Sequence, residues 1–340
     1  MFFYSFSFIA LCLFYKFNKN TVWDIAVSII FIISYYYSRM VISVFIFFIF
    51  AKYVSFDSIL KAFILTTIIC ILFTVFSSIF ELYEYQSMDT MYRSNGLFRD
   101  PLGYKYPTYI ANMSLYLYMA WSAIRKEKLG ILELLFFFLM NIYVYVYTDT
   151  RTIFYLVNFF ICCILFIKLF NINYKTIFIG RILAWISSFG FILLSTISIY
   201  LIITYDPNIE WMYKLNKILS GRLYYGNKGF LEYGISFLGQ KVEYIDIADL
   251  NSNNSLFVID SGYFRALIDY GVVLFSVIAL GFKYVGDMIV KENNIYYGII
   301  FGVIMLDLLV NPHIMSLDFN PFIFLLSYVG KYRSNMCIEK

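Results

Sequence analysis

Apolar runs of about 15–25 residues recur along almost the whole chain, separated by polar connections, and no water-soluble core could hide that much hydrocarbon. Read as membrane spans, the runs fall near 1–15, 22–37, 40–54, 59–80, 106–124, 129–147, 151–170, 182–204, 261–282, 295–310 and 319–332. The pattern predicts an all-α polytopic integral membrane protein of about 11 transmembrane helices. No internal repeat or soluble module interrupts it, so residues 1–340 are expected to form a single membrane domain. The first run has no basic stretch ahead of it and no small-residue cleavage site, and is read as a span rather than a signal peptide.

Composition narrows the chemistry. Apolar residues make up 61% of the chain and charged residues 14%, with Phe and Tyr abundant and Gly and Ala modest, which predicts bulky helix packing. Cys12, Cys70, Cys162, Cys163 and Cys337 show no CxxC spacing and fall in spans or in the tail, supporting neither a disulfide framework nor a zinc site. One histidine, His313, cannot build a His-ligated metal centre, and in Asn311-Pro312-His313 it reads as a loop residue. No basic stripe with interleaved aromatics suggests nucleic acid. Neither a metal nor a cofactor is expected.

Lysine and arginine occupy every second connection: Lys16 and Lys19, Lys52 and Lys61, Arg125-Lys126-Glu127-Lys128, Lys168 with Lys175 and Arg181, Lys283 with Lys291, and the Lys331/Arg333 tail. The positive-inside rule puts these in the cytosol and the alternate connections outside, notably 81–105, 148–151, 205–260 and 311–318. Arg39 runs against the pattern. Basic residues on the outer side therefore ask for a reason: Arg93 and Arg99 in the loop 81–105, Arg151 ending Thr148-Asp149-Thr150-Arg151, Arg222 after Ser220-Gly221, and Arg265 at the start of a late helix.

The loop from Tyr205 to Asp260 shows little periodicity, and loops of that length are commonly functional. Arg222 follows a glycine turn where backbone can approach a ligand, and a guanidinium fork suits phosphate. Arg151 would add a second fixed charge, reinforced by the helix dipole if Thr148 or Thr150 caps the helix there; alternatively it pairs with Asp149. Together the two would hold a pyrophosphate as a leaving group. Asp260 could orient or deprotonate a sugar hydroxyl, or simply cap the helix beginning at Ser261. Arg265 and Asp269, spaced i,i+4, are expected to satisfy one another. Gly226, Gly229 and Gly234 are too loosely spaced for a nucleotide loop.

Several of these strings also resemble bacterial capsular and exopolysaccharide repeat-unit polymerases of the Wzy type, within the O-antigen polymerase/ligase superfamily. They are Ile218-Leu219-Ser220-Gly221-Arg222-Leu223, Tyr233-Gly234-Ile235-Ser236-Phe237-Leu238-Gly239-Gln240, and Asp260-Ser261-Gly262-Tyr263-Phe264-Arg265-Ala266-Leu267 with Tyr270-Gly271. Thr148-Asp149-Thr150-Arg151 is similar to that family's Thr-Asp-Ser-Arg turn, and Pro101-Leu102-Gly103-Tyr104 with Tyr106-Pro107-Thr108 to its Ser-Leu-Gly-Phe and His-Pro-Asn signature. Tyr106 and Thr108 stand where that signature has His and Asn.

The resemblance implies a GT-C-like architecture with a large extracytoplasmic loop in the bacterial cytoplasmic membrane, its active site facing outside. It implies a metal-independent glycosyltransferase that joins undecaprenyl-pyrophosphate-linked oligosaccharide repeat units. Arg151 and Arg222 would hold the pyrophosphate, Asp260 and Tyr263 would meet the acceptor, and Arg93, Arg99 and Arg265 would assist. Flippase and chain-length regulator proteins are the partners it suggests, alongside membrane lipid. An O-antigen-ligase-like transferase, or a lipid-linked oligosaccharide flippase or transporter, is the alternative.

Overall fold

The computed structural model of the protein describes residues 53–82, 98–170, 178–245 and 257–328, together with Tyr36, Ala51, Gly96, Ile172 and Tyr174. The expected spans at 1–15, 22–37 and 40–54 lie outside these residues except for helical Tyr36 and Ala51 and the stretch from Tyr53, as does the Asp/Asn/Ser tract at 246–256. Every named element among the described residues is helical, and an isolated backbone bridge joins Ile245 to Phe257.

Nine α-helices are described: α1 Phe56–Ile79, α2 Pro107–Arg125, α3 Ile131–Thr148, α4 Arg151–Phe170, α5 Phe178–Ile203, α6 Glu210–Ile218, α7 Arg222–Tyr233, α8 Gly262–Lys291 and α9 Ile295–Asp307. A 3-10 segment, Pro321–Tyr328, stands where a final span was expected. Five of the helices (α1, α3, α4, α5 from Gly180, and α8) are long and apolar enough to cross a membrane.

Burial explains why apolar content alone does not rank them. In α1 only Phe56, Leu60, Ile64 and Thr67 are buried, a single stripe at three- and four-residue spacing, while Leu72, Phe73 and Ile79 are exposed hydrocarbon. In α4 the buried residues Ile153, Val157, Phe160, Ile161, Ile164 and Ile167 trace the same kind of stripe. By contrast α2 is buried around most of its circumference and carries Asn112, Ser114, Tyr116 and Ser122 inward. It is an inner helix, like α9, and can be more polar than its neighbours. Pro107 opens it at the position where a missing N–H costs nothing.

Bulky packing, as of Phe191 on Phe275 and Phe282, gives way at one crossing of the α5–α8 interface. A Cβ added to Gly286 would sit 1.9 Å from the Ser187 carbonyl oxygen, and Ser188 lies beside it. Small residues let these two backbones approach, the usual device between apolar helices. The loop expected at 205–260 also holds structure, the short helices α6 and α7. Their polar sequences hid them from a reading tuned to apolar runs.

Successive connections alternate between two ends of the bundle. At one end Lys168 donates to the Glu127 carbonyl at 3.0 Å, the Tyr174 N–H donates to Asn293 at 3.2 Å, and Tyr328 bonds the Val54 carbonyl. This end carries Arg125, Lys126, Lys128, Lys168 and Lys291. The opposite end gathers Arg99, Thr148–Arg151, Arg222, Asp260 and the segment after Asp307.

Candidate functional site

Two polar clusters occupy that second end, joined by α2. The first sits where α2, α3 and α4 meet. The turn Thr148–Arg151 is tight, as expected, with Asp149 in the left-handed region at φ 45°. Neither threonine hydroxyl caps α4: that of Thr148 donates to the Val144 carbonyl at 2.8 Å, and that of Thr150 faces the Pro107 carbonyl at 3.4 Å. Arg151 takes the simpler of its two expected roles and pairs with Asp149 at 3.3 Å, its side chain 55% exposed. Arg99 secures the turn instead, donating through Nε to the Thr148 carbonyl at 2.8 Å, while the Asp100 N–H donates to Tyr147. Arg93 lies outside the described residues.

The second cluster is built on the start of α7. Ser220 and Gly221 both adopt positive φ, 55° and 86°, so the chain reverses sharply between α6 and α7 and delivers Arg222 to the bundle. Its Nε donates to the Val310 carbonyl at 2.9 Å and Nη1 to the Leu219 carbonyl at 3.0 Å. Those bonds use two of the five guanidinium donors. Asp260 Oδ2 lies 3.9 Å from Nε, close enough for attraction but too far for a hydrogen bond. Burial pulls the Arg222 pKa below its ordinary value, opposed by the charges of Asp260 and Asp307, and an arginine so placed remains cationic.

Asp260 does not cap α8. Ser261 holds that position and makes no side-chain capping bond, since its hydroxyl pairs with Ser198 at 3.1 Å. The Asp260 side chain is 46% exposed, so a half-open carboxylate stands beside a mostly buried guanidinium.

Beneath them lies a feature the sequence did not reveal. Asp307, at the end of α9, has no exposed surface. Three side chains reach its carboxylate: Tyr116 Oη at 2.8 Å, Asn311 Nδ2 at 2.6 Å and His313 Nδ1 at 3.2 Å. Asn112 of α2 stands 3.5 Å from Asn311, and Asn320 donates to the His313 carbonyl. His313 belongs to a loop, as expected, but is only 6% exposed and packs between the rings of Tyr116 and Phe319. Tyr116 lies nine residues along α2 from Pro107, or about 13 Å at 1.5 Å per residue, so this carboxylate sits well below the rim that carries Arg151. The sequence signal was a solitary acid closing an apolar run, followed within six residues by the only histidine.

The remaining expected residues divide cleanly. Arg265 pairs with Asp269 at 3.5 Å, as their spacing predicted, and its guanidinium lies 4.1 Å over the Tyr244 ring. The Tyr244 hydroxyl donates to Asp269 at 2.6 Å, completing a triad on the flank of α8. Tyr263, expected to meet the acceptor, faces the core instead: it has no exposed surface, packs edge-on against Phe191 and donates to the Met305 carbonyl at 2.7 Å. No group of His, Cys, Asp and Glu able to hold a metal ion occurs among the described residues.

Of the two arginines expected to act together, Arg222 is thus buried against a carboxylate and Arg151 is exposed on the neighbouring rim, with α2 between their clusters. Comparison with protein-family models, with curated proteins and with solved structures finds no match to this chain.

Proposed function

We propose that the protein is a polysaccharide polymerase of the bacterial cytoplasmic membrane that joins undecaprenyl-pyrophosphate-linked oligosaccharide repeat units on the outer face. The observation that carries this reading is Arg222, a mostly buried guanidinium on a glycine turn with donors to spare, set beside the half-exposed carboxylate of Asp260. A diphosphate would take up those remaining donors, and fixed positive charge in a poorly hydrated site stabilises the charge that develops on a departing phosphate. Asp260 accepts a hydrogen bond from the acceptor sugar and orients its hydroxyl. Arg151 supplies positive potential at the membrane rim, where the second phosphate and the polyprenol enter.

The reaction draws its driving force from the glycosyl-phosphate bond of the donor, so it asks of the protein only binding, orientation and proton handling. Arg99 and Arg265 serve as anchors of the turn at Thr148 and of the triad on α8. The alternation of lysine-rich and arginine-bearing ends supports placing this chemistry on the non-cytosolic side.

The test is reconstitution. Purified full-length protein in liposomes, given lipid-linked oligosaccharide extracted from cells in which the gene is deleted, should yield a ladder of longer glycans. If the oligosaccharide crosses the bilayer without being elongated, the chain is a flippase and the polymerase reading is wrong.

A further inference from the structure

The buried carboxylate of Asp307 and the imidazole of His313 have no part in the scheme above, yet they lie directly under it. Arg222 donates to the carbonyl of Val310, three residues from each of them. The Gly262 N–H, two residues after Asp260, donates to the Leu308 carbonyl at 2.9 Å. The segment that carries the pair is therefore bonded to both sides of the candidate site.

The arrangement is costly unless it is used. A carboxylate with no exposed surface must be fully hydrogen-bonded, and two elements supply its three partners: Tyr116 from α2, and Asn311 and His313 from the loop after α9. Such a carboxylate fixes the imidazole's orientation and keeps a proton on Nδ1, which leaves Nε2 as the basic nitrogen. About 8% of the His313 side chain is open, so the ring is sheltered but not sealed.

We infer that His313 is the proton acceptor for the sugar hydroxyl of the acceptor and that Asp307 is the residue that positions it, an assignment that rests on the polymerase reading. The acceptor oxygen forms a bond to the anomeric carbon of the donor while the bond from that carbon to the phosphate oxygen breaks. The pyrophosphate leaves with the electron pair, held by Arg222, and the hydroxyl proton passes to Nε2 of His313. Asp260 then directs the hydroxyl rather than deprotonating it. Around the imidazole stand Asp307 of α9, Tyr116 of α2 and Phe319 of its own loop, and Arg222 of α7 and Tyr263 of α8 interact electrostatically with Asp307. Asp318 lies in the same loop.

The experiment uses the reconstituted protein and the extracted lipid-linked oligosaccharide, with elongation rate followed across pH. Because the chain has one histidine, a limb of that profile that disappears when residue 313 is replaced reports it directly. His313→Gln should elongate about a hundredfold or more slowly and lose that limb. Asp307→Asn should slow elongation and displace the limb, and Asp260→Asn should slow elongation with the limb kept. Elongation by His313→Gln at the wild-type rate, or with the wild-type limb intact, overturns the inference while leaving a wild-type ladder to sustain the polymerase reading. Failure of the wild-type ladder would instead remove that reading.

Should the variants fail to fold, diethyl pyrocarbonate on the folded wild type decides the matter. Loss of turnover in step with modification of the imidazole, reversed by hydroxylamine, supports the assignment. Full turnover with the imidazole modified overturns it, and so does an imidazole that the small reagent cannot reach.

Discussion

Gly271 and Gly239 meet backbone to backbone. Gly271 breaks α8 at φ 77°, and a Cβ placed on it would lie 2.3 Å from the amide nitrogen of Gly239, itself at φ 102°. The break frees backbone groups that cannot go unpaired in an apolar setting. The segment between α7 and residue 240 pairs with them: the N–H groups of Val272 and Val273 donate to Ser236 and Phe237, and the Gln240 N–H donates to Asp269. Gly271→Ala combines a disfavoured conformation with a clash against backbone that cannot rotate away. We expect it to lower the melting temperature of the detergent-solubilised protein by several degrees or to prevent its accumulation. Gly302→Ala, on α9 where a Cβ meets nothing within 4 Å, should be neutral or mildly stabilising. Equal losses from both would mean that the crossing at Gly239 is not what fixes the kink.

Tyr244→Phe removes the phenol that donates to Asp269 and should destabilise the flank of α8 by about 1–3 kcal/mol, the cost of a buried acceptor left short of a donor. Burial and the Asp269 charge push the Tyr244 pKa well above its usual value. A group whose proton is held more tightly in the folded state contributes stability that is complete below its unfolded pKa of about 10 and declines above it. The difference in melting temperature between wild type and Tyr244→Phe should therefore be constant from neutral to mildly alkaline pH and shrink only beyond that. A difference that vanished near neutrality would show that the bond is not made by a neutral phenol.

Arg99 and Arg151 flank the same turn but should behave differently. Arg99 closes a carbonyl at the end of α3 that otherwise meets only the Thr150 hydroxyl at 3.5 Å, and a charge-assisted bond of that kind is worth about 1.5–3 kcal/mol. Arg99→Ala should speed hydrogen exchange at Asp100, whose amide bonds Tyr147, and lower the melting temperature. The Arg151 guanidinium is itself 55% exposed, although its partner Asp149 is mostly buried, so Arg151→Ala should have the smaller effect on both. The reverse order would mean that Arg151, not Arg99, holds the turn.

These contrasts trace how far the residues could be read in advance. Where a helix faces hydrocarbon, as α4 does, its apolar stripe and its ends were plain, and Arg151–Phe170 matches the expected span. The i,i+4 pairing of Arg265 with Asp269 was legible for the same reason: helix geometry alone sets it. The helices α6 and α7 were not, because each is short and polar on average, so neither forms the apolar run that marks a span. Tyr263 was misplaced because the side on which α8 packs is set by its neighbours: Asp260 precedes the helix and stays half-open, whereas Tyr263 on the first turn faces the core. Asp307 with His313 escaped notice because their importance comes from Tyr116, almost two hundred residues away in the chain. Only the packing of α2 against α9 brings the phenol to the carboxylate.

Arg222→Lys is the sharpest test of the site. Lysine keeps the charge but not the planar fork, so it cannot reach the Val310 and Leu219 carbonyls together and present further donors to an anion. We expect elongation of the extracted lipid-linked oligosaccharide to fall about a hundredfold, nearly as far as in Arg222→Ala. Burial already depresses the pKa of the arginine here, against the support of Asp260 and Asp307. A lysine starts lower, near 10.4, and the same burial carries it down further. The charge on the substituted side chain would then be lost as pH rises, so the residual activity of Arg222→Lys should decline at a pH below the free-lysine value of about 10.4, over a range in which the wild-type guanidinium keeps its proton. Wild-type elongation by the lysine variant, unaffected by pH, would show that a point charge suffices and that the guanidinium does not grip the diphosphate.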